Sequence, residues 1–453
     1  MGEIIFERSI AFALFWGVWL LIPIIIDVST SLVYFINFIS QKKKPDQLKK
    51  DLDYYPYVTI VIPVHNSATT LYQCLQSIAN QSYPLDSLQV ICVNNGSEDN
   101  SFDVYQKFHY EHREVMVVWN SLDVSGKSVA LNAGIYSGQG VYVMNVDADV
   151  WLHPDAILNA VKTFEFDPSL VCATGAIRVD KNIVQDPSFI DIINYCEIIE
   201  YILAFEVGRN YQNLKNAIFT ISGAFSIFRR DIILQSFMYQ TRTVSEDTDL
   251  TFNIRASLEK SGGRIGFIKE AVAYVEPIES LYRLYTQRVR WQRGEIEVVG
   301  IYYNDNPNFF LAVKDFVGRI LISDHTLAFL RLSWTFLLPF LYLLGYHLET
   351  LMLAMIGLYV CYQIIEICNF YIAYKGSEEL YRKKLKKVWW VIFFMPLYRY
   401  LVYWFRLSGI ILVFMESGAW KVENPVKQIN EAAEEYLGFG KKKSEIIKRW
   451  LGI

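Results

Sequence analysis

The sequence predicts an α/β domain with a mixed, mainly parallel sheet, flanked by transmembrane helices. Three observations predict it. Short apolar runs alternate with amphipathic stretches through residues 52–295. Long apolar segments lie outside that region, at the two ends of the chain. Lysine and arginine cluster directly beside those segments.

Within the middle region, residues 58–64 (VTIVIPV) read as a buried strand and 69–80 as a helix. Residues 88–93, 114–118 and 141–145 read as further strands, and 101–112 and 128–137 as helices. Such alternation makes a parallel sheet covered by helices on both faces. In sheets of this kind ligands bind at the C-terminal ends of the strands.

The flanks follow the rules for bilayers. Residues 10–26 carry no charge, and apolar character resumes after Asp27 as far as Ile39. A span needs about 20 residues, so one long tilted helix fits, with Pro23 as a possible kink. A signal peptide fits poorly, because a basic leading region and a small-residue cleavage site are both missing. Lys42, Lys43, Lys44, Lys49 and Lys50 follow the segment and place the next region in the cytoplasm. Residues 332–346 and 351–373 read as two spans joined by a turn at 347–350. Lys375, Arg382, Lys383, Lys384, Lys386 and Lys387 then mark the cytoplasmic side again. Residues 388–415 are apolar but contain Pro396, Arg399 and Arg406. A charge at the bilayer centre costs about 2.5–3.5 kcal/mol, so a fourth span and a re-entrant or interfacial helix pair both stay open. Arg319, Arg331, Arg399 and Arg406 read as snorkelling surface charges. The tail, 421–453, is either a basic helix on a membrane surface or a solvated terminus.

This divides the chain into an N-terminal helix and basic linker (1–51), a cytoplasmic domain (52–295), an interfacial segment (296–326), membrane helices (327–420) and a polar tail (421–453). Composition agrees. Of 453 residues, 53% are hydrophobic and 20% charged, the latter below the roughly 25% of soluble domains. The net charge of −4 sets up no field for nucleic acid, so no nucleic-acid partner is expected. Six cysteines without a CxxC pair make neither a disulfide framework nor a zinc cluster.

Candidate chemistry sits after the strands. Pro63-Val64-His65-Asn66-Ser67 follows the first, and Val93-Asn94-Asn95-Gly96-Ser97 the second. Each is also what an ordinary turn gives, the former with Asn66 or Ser67 capping a helix. Asp147-Ala148-Asp149 leaves a buried strand, where two carboxylates are costly unless a cation binds; hard divalent ions prefer such oxygens. A pair of solvated loop aspartates is the alternative. Lys127, in Ser125-Gly126-Lys127, stands at a helix start, where phosphate binds, without the full P-loop pattern. Ser245-Glu246-Asp247 is compatible with plain helix capping. Gln287, Arg290 and Trp291 share one face of a helix that reads from Ile278 onward. Amide, guanidinium and indole there suit a diphosphate and a sugar ring, or equally an interfacial arginine and tryptophan.

In order, PVHN, VNNGS, GKSVALNAG, DAD, SGAFSIFRRD, SED and QRVRW resemble the motif set of membrane-bound family 2 glycosyltransferases. The resemblance covers residues 56–295, and QxxRW is its most specific part, typical of members that extend a polymer. The membrane layout is similar to that of poly-N-acetylglucosamine, hyaluronan and cellulose synthases, which implies a bacterial exopolysaccharide synthase of the plasma membrane. The resemblance implies a GT-A-like nucleotide-sugar-binding domain and inverting transfer to a growing polysaccharide. It implies that Asp149, with Asp147, binds Mg²⁺ or Mn²⁺. Pro63, His65, Asn66, Asn95, Lys127 and Asp147 are implied to contact the nucleotide. Asp247 is implied as general base, with Glu246 the substitute candidate, and Arg290 serves the leaving diphosphate. Trp291, Gln287, Ser222 and Gly223 are implied to meet the acceptor. One position departs: the family usually carries aspartate where Asn95 stands, and that aspartate pairs with uracil. Asparagine still accepts from the uracil N–H, so UDP remains the expected carrier. Transfer of a single sugar to a polyprenyl-phosphate lipid, and an inactive export scaffold, are the rival expectations.

Overall fold

The computed structural model describes residues 24, 25, 27–29, 31–36, 48, 50–122, 126–304 and 340–415. The expected N-terminal span, most of the expected 332–346 span, Ser125, Arg319, Arg331 and the tail lie outside or largely outside the described residues.

In chain order the elements are β1 (Val58–Val64), α1 (Leu71–Ala79), β2 (Leu88–Asn94), α2 (Ser101–Glu111), β3 (Met116–Ser121), α3 (Lys127–Ser137), β4 (Tyr142–Val146), β5 (Val150–Leu152), α4 (Ala156–Phe166) and β6 (Leu170–Val179). Then come α5 (Phe189–Tyr201), a π-helical turn (Ile202–Gly208), α6 (Arg209–Leu214), β7 (Phe225–Arg229), α7 (Arg230–Gln235), α8 (Glu246–Ser261), β8 (Arg264–Val275) and α9 (Leu281–Asn304). After the undescribed stretch follow α10 (Leu348–Gly376), α11 (Glu379–Lys387), a 3-10 turn (Trp389–Phe393) and α12 (Met395–Met415).

The strands form one eight-stranded sheet in the order β3-β2-β1-β4-β7-β6-β8-β5. β1 to β4 pair in parallel, as do β6 and β8, while β7 and β5 pair antiparallel with their neighbours. Both faces are buried: Ile60 and Ile62 join one apolar cluster and Val61 the other. Strands covered on two sides need continuous rather than alternating apolar character, which is what VTIVIPV supplies. All six cysteines are unpaired.

Several expectations need correction. α1 is not capped by Asn66 or Ser67; its cap position is Thr70, which makes no side-chain cap bond. The 347–350 turn is shorter than expected, because α10 already begins at Leu348. Pro396 stands just after the division of 388–415 into a 3-10 turn and α12. It lies in the first turn of α12, where a missing N–H costs nothing. Arg399 and Arg406 do not snorkel. Arg399 Nη2 donates to Glu366 Oε2 of α10 at 3.2 Å, and Arg406 Nε to Gln292 Oε1 of α9 at 2.6 Å.

α10 has 29 residues, about 44 Å at 1.5 Å per residue, enough for a hydrocarbon core of about 30 Å. Among the described residues it is the one helix long and apolar enough to cross a membrane. Leu353, Ile356, Val360 and Ile364 lie exposed along it.

Candidate active site

The loops after β1 and β2 hold each other in place. Asn66 takes a left-handed conformation (φ +50°). Its Oδ1 accepts from Glu98 N at 2.8 Å, and its N–H donates to Ser97 Oγ at 3.1 Å. His65 Nδ1 lies 2.9 Å from the Asn95 carbonyl oxygen. Pro63 is buried inside β1, opposite Val93, whereas His65 and Asn66 are exposed. Asn95 is buried, and its Oδ1 accepts the N–H of Gly126 just before α3. The atom expected to meet uracil therefore already has one partner. A carbonyl oxygen has a second lone pair, so a base N–H can still be accepted.

Lys127 begins α3 and Asp147 follows β4. Lys127 Nζ lies 2.7 Å from Asp147 Oδ1 and 3.5 Å from Glu246 Oε1. Burial lowers the Lys127 ammonium, but Asp147 and Glu246 outweigh it and hold the pKa above its ordinary value. Burial pushes the Asp147 carboxyl up; Lys127 opposes this and Asp149 adds to it. Burial likewise raises Glu246, against the pull of Lys127. Asp149 is exposed.

Asp247, at the start of α8, receives the Gly223 N–H on Oδ2 at 3.0 Å. Its Oδ1 accepts from Ser245 Oγ at 3.1 Å and from Thr248 N at 2.8 Å. Position 223 is close to both groups: a Cβ there would lie 3.3 Å from Asp247 Oδ2 and 3.5 Å from Lys127 Nζ. Ser222 holds the same loop, donating its N–H to Thr174 Oγ1 at 3.1 Å.

α9 is brought to α8 by a close approach at Gly294, where a Cβ would stand 2.4 Å from the Ser245 Cβ. Val244 N also donates to Glu297 Oε2 at 2.9 Å. Arg290 thereby comes within electrostatic reach of Lys127, Asp147 and Glu246. Trp291 packs against Phe205 and Tyr201, with ring centres 5.8 and 6.3 Å away. Gln287 Nε2 reaches Tyr201 Oη at 3.5 Å, and its buried Oε1 has no partner among the described residues.

Sequence reasoning missed what supports Trp291. The Arg288 guanidinium lies 4.4 Å from the Trp291 ring centre. Arg288 is held by Glu200 Oε2 at 2.6 Å, and Tyr398 Oη of α12 donates to that carboxylate at 2.7 Å. Glu197 stands one turn before Glu200, 3.9 Å from Arg288. A signal was present: two glutamates three apart in the apolar run FIDIINYCEIIEY need a buried cation.

The residues fit a divalent ion. Asp147 and Asp149 are close enough for the charge of one to raise the pKa of the other, and hard oxygen donors of this kind suit Mg²⁺ or Mn²⁺. No third carboxylate, histidine or cysteine joins them among the described residues; a bound diphosphate supplies the remaining oxygens in such sites.

A mixed α/β sheet with acidic and basic groups converging at its strand ends is the architecture of nucleotide-sugar transferases of the GT-A type. Residues 59–237 match the model of the family described as Glycosyl transferase family 2, and they form a domain of that family. The chain is 29% identical over 290 residues to the poly-beta-1,6-N-acetyl-D-glucosamine synthase of Staphylococcus aureus (strain COL), covering 64% of this chain and 66% of that protein. The Staphylococcus epidermidis protein of the same name is 29% identical over 291 residues, with the same coverage. The chain thus spans 66%, just under two thirds, of the length of these relatives. A mannosyltransferase from Pyrobaculum calidifontis, solved with GDP-Man and Mn²⁺, shares the fold. Its TM-score is 0.52 at 17% identity, over 87% of this chain and 99% of that one.

Proposed function

We propose that this chain is a membrane-embedded, inverting synthase that transfers sugar from a UDP-linked donor to the end of a growing polysaccharide. The observation that carries this reading is the convergence of Asp247, Lys127 and Arg290. Asp247 comes from the start of α8, Lys127 from the start of α3 and Arg290 from α9; Lys127 pairs with Asp147 just after β4, the charge of Arg290 acts on that carboxylate, and Asp247 and Lys127 both border Gly223. The likeness to staphylococcal poly-N-acetylglucosamine synthases supports a hexosamine polymer.

The chemistry follows from the groups present. The acceptor hydroxyl gives its proton to Asp247 while its oxygen attacks the anomeric carbon. The bond from that carbon to the diphosphate oxygen breaks, and the electron pair leaves with the nucleoside diphosphate. Lys127 and Arg290 carry positive charge toward that leaving group. Asp147 and Asp149 would hold Mg²⁺ or Mn²⁺, which when bound neutralises diphosphate charge. His65, Asn66 and Asn95 line the nucleotide side. Ser222, Gly223, Gln287 and Trp291 line the acceptor side.

We place the protein in the plasma membrane, with α10 crossing and the catalytic domain inside. The basic run on α11, directly after α10, supports that orientation. The test is to present purified protein in nanodiscs with a panel of nucleotide sugars and to read nucleotide release and product size. Polymer from a UDP-hexosamine is expected. A single-sugar lipid product would replace this reading with the polyprenyl one, and no turnover of any donor would overturn it.

A further inference from the structure

α10 carries two different faces. Leu353, Ile356, Val360, Ile364, Ile367 and Tyr371 are exposed, and their spacing of three and four sets them in one stripe. Gln363, Glu366 and Asn369 are buried on another face, where Glu366 meets Arg399 of α12. From Val360 to Tyr371 the stripe runs about 17 Å at 1.5 Å per residue. That is about the depth of one leaflet, half of a hydrocarbon core of about 30 Å.

Toward the C-terminal end of α10 the stripe runs into a groove of about 300 Å³ between α10, α11 and the 3-10 turn. Ile367, Phe370 and Tyr371 line it from α10, and Trp389 and Ile392 from the turn. Lys386 of α11 is the one charged residue among the described lining. The sides of the groove are held in place. Tyr359 Oη and Gln363 Nε2 of α10 both donate to the Phe393 carbonyl oxygen of the turn, at 2.7 and 3.1 Å. Tyr381 Oη of α11 donates to the Val179 carbonyl oxygen at 2.9 Å, which ties α11 to β6.

Charge distinguishes the lysines. Lys383 is paired with Glu379 at 2.8 Å and Lys384 with Asp180 at 2.9 Å. Lys386 has no carboxylate partner among the described residues. Neither has Lys375, whose ammonium stands 5.9 Å from the ring centre of the groove residue Tyr371. Tryptophan and tyrosine beside lysines at the cytoplasmic end of a span sit at headgroup level. An apolar groove continuous with a stripe one leaflet deep suits a fatty acyl chain, and unpaired ammoniums beside it suit a lipid phosphate.

Resting on the placement of α10 in the membrane, and not on the synthase chemistry, we propose that this groove binds one anionic phospholipid of the cytoplasmic leaflet. An acyl chain lies in the groove and along Ile364 and Val360, and the phosphate meets Lys386 and Lys375. Because α11 is tied to β6, the bound lipid links the leaflet to the sheet of the catalytic domain.

The full chain in detergent is titrated with phosphatidylglycerol and, separately, with phosphatidylcholine, and bound lipid is counted by native mass spectrometry. One phosphatidylglycerol is expected to bind about fivefold more tightly than phosphatidylcholine or better. Lys386→Gln should weaken it about fivefold, the scale of one lysine at an anionic surface. Lys387→Gln removes the same charge from an exposed residue outside the groove lining and should leave it unchanged. Ile367→Trp fills the groove with every charge kept and should also lose the lipid. Equal weakening in the two lysine variants would mean diffuse attraction to α11 and overturns the site. Equal affinity of the wild type for the two lipids overturns it as well, as does a dimer cross-linked through position 367 that retains no lipid. Flotation with vesicles of the same two lipids separates the two readings. A chain that floats but prefers neither lipid in the titration fails this inference alone. A chain that floats with neither fails the placement of α10, and the inference with it.

Discussion

Lys127 Nζ lies 2.7 Å from Asp147 Oδ1, joining the first residue of α3 to the loop that leaves β4. The same ammonium is 3.5 Å from Glu246, so one cation ties together three segments of the site. A bound diphosphate competes with these carboxylates for it. Lys127→Met is expected to lower kcat/KM for the donor about 100-fold, on the scale of a lost charge-assisted contact of about 3 kcal/mol. Steady-state kinetics check it. A variant within threefold of wild type would show that Lys127 is only a tie between loops.

Asp149 is exposed while Asp147 is engaged by Lys127. Of the two, Asp149 is the carboxylate more open to an incoming ion. Asp149→Asn is expected to fold normally, to bind Mn²⁺ at least tenfold more weakly by electron paramagnetic resonance, and to lose turnover. Unchanged Mn²⁺ affinity, or wild-type activity in EDTA, would remove the metal from the mechanism.

Asp247 differs from Glu246 in its partners: it receives Gly223 N–H at 3.0 Å, whereas Glu246 faces Lys127. Asp247→Asn keeps an oxygen for Gly223, so donor binding by calorimetry should persist. Transfer should fall by roughly 10²- to 10⁴-fold with the base gone. Transfer near the wild-type rate would move the base to Glu246.

Much of this was legible in the sequence, for physical reasons that vary along the chain. β1 reads correctly because seven consecutive buried residues, six of them apolar, suit a strand covered on both faces. PVHN, VNNGS and DAD could be placed at strand ends because each adjoins such a strand. β5 to β8 were not assigned: β5 is three residues long, and β6, buried along its whole length, breaks its apolar run with threonine, glycine and arginine. Asn66 was misread as a possible cap because its side chain bonds Glu98, 32 residues away, rather than the helix beside it. The charges of 388–415 were misread because hydropathy has no access to partners, and Glu366 and Gln292 lie on other helices. The support beneath Trp291 was missed for the same reason.

Trp291 and Arg290 are neighbours in sequence with different surroundings. Trp291 lies among Tyr201, Phe205 and Arg288, while the charge of Arg290 reaches Lys127, Asp147 and Glu246. Trp291→Ala should therefore damage chain extension far more than donor hydrolysis, because water needs no stacking surface. Arg290→Ala should lower both, about ten- to a hundredfold. Product sizing beside a nucleotide-release assay separates them. Equal losses in both variants would make Trp291 a structural prop.

Glu197 gives the fold a pH dependence of its own. It is 1% exposed, its Oε2 accepts from Ile278 N at 3.3 Å, and Arg288 stands 3.9 Å away. Burial pushes its carboxyl up to about 7, with Arg288 opposing and Glu200 adding. The folded protein therefore holds this proton up to near pH 7, while the unfolded chain releases it near its ordinary value of about 4.3. Between those values the native state binds more protons than the unfolded one, so this group makes stability fall as pH rises. Below the window the contribution is constant and favourable, and above it the carboxylate is ionised in a buried place. Glu197→Gln keeps an acceptor for Ile278 and cannot ionise. Its Tm should match the wild type near pH 4.5 and exceed it by a widening margin up to pH 7, then run parallel. A constant Tm difference across that range would mean that Glu197 stays charged, paired to Arg288.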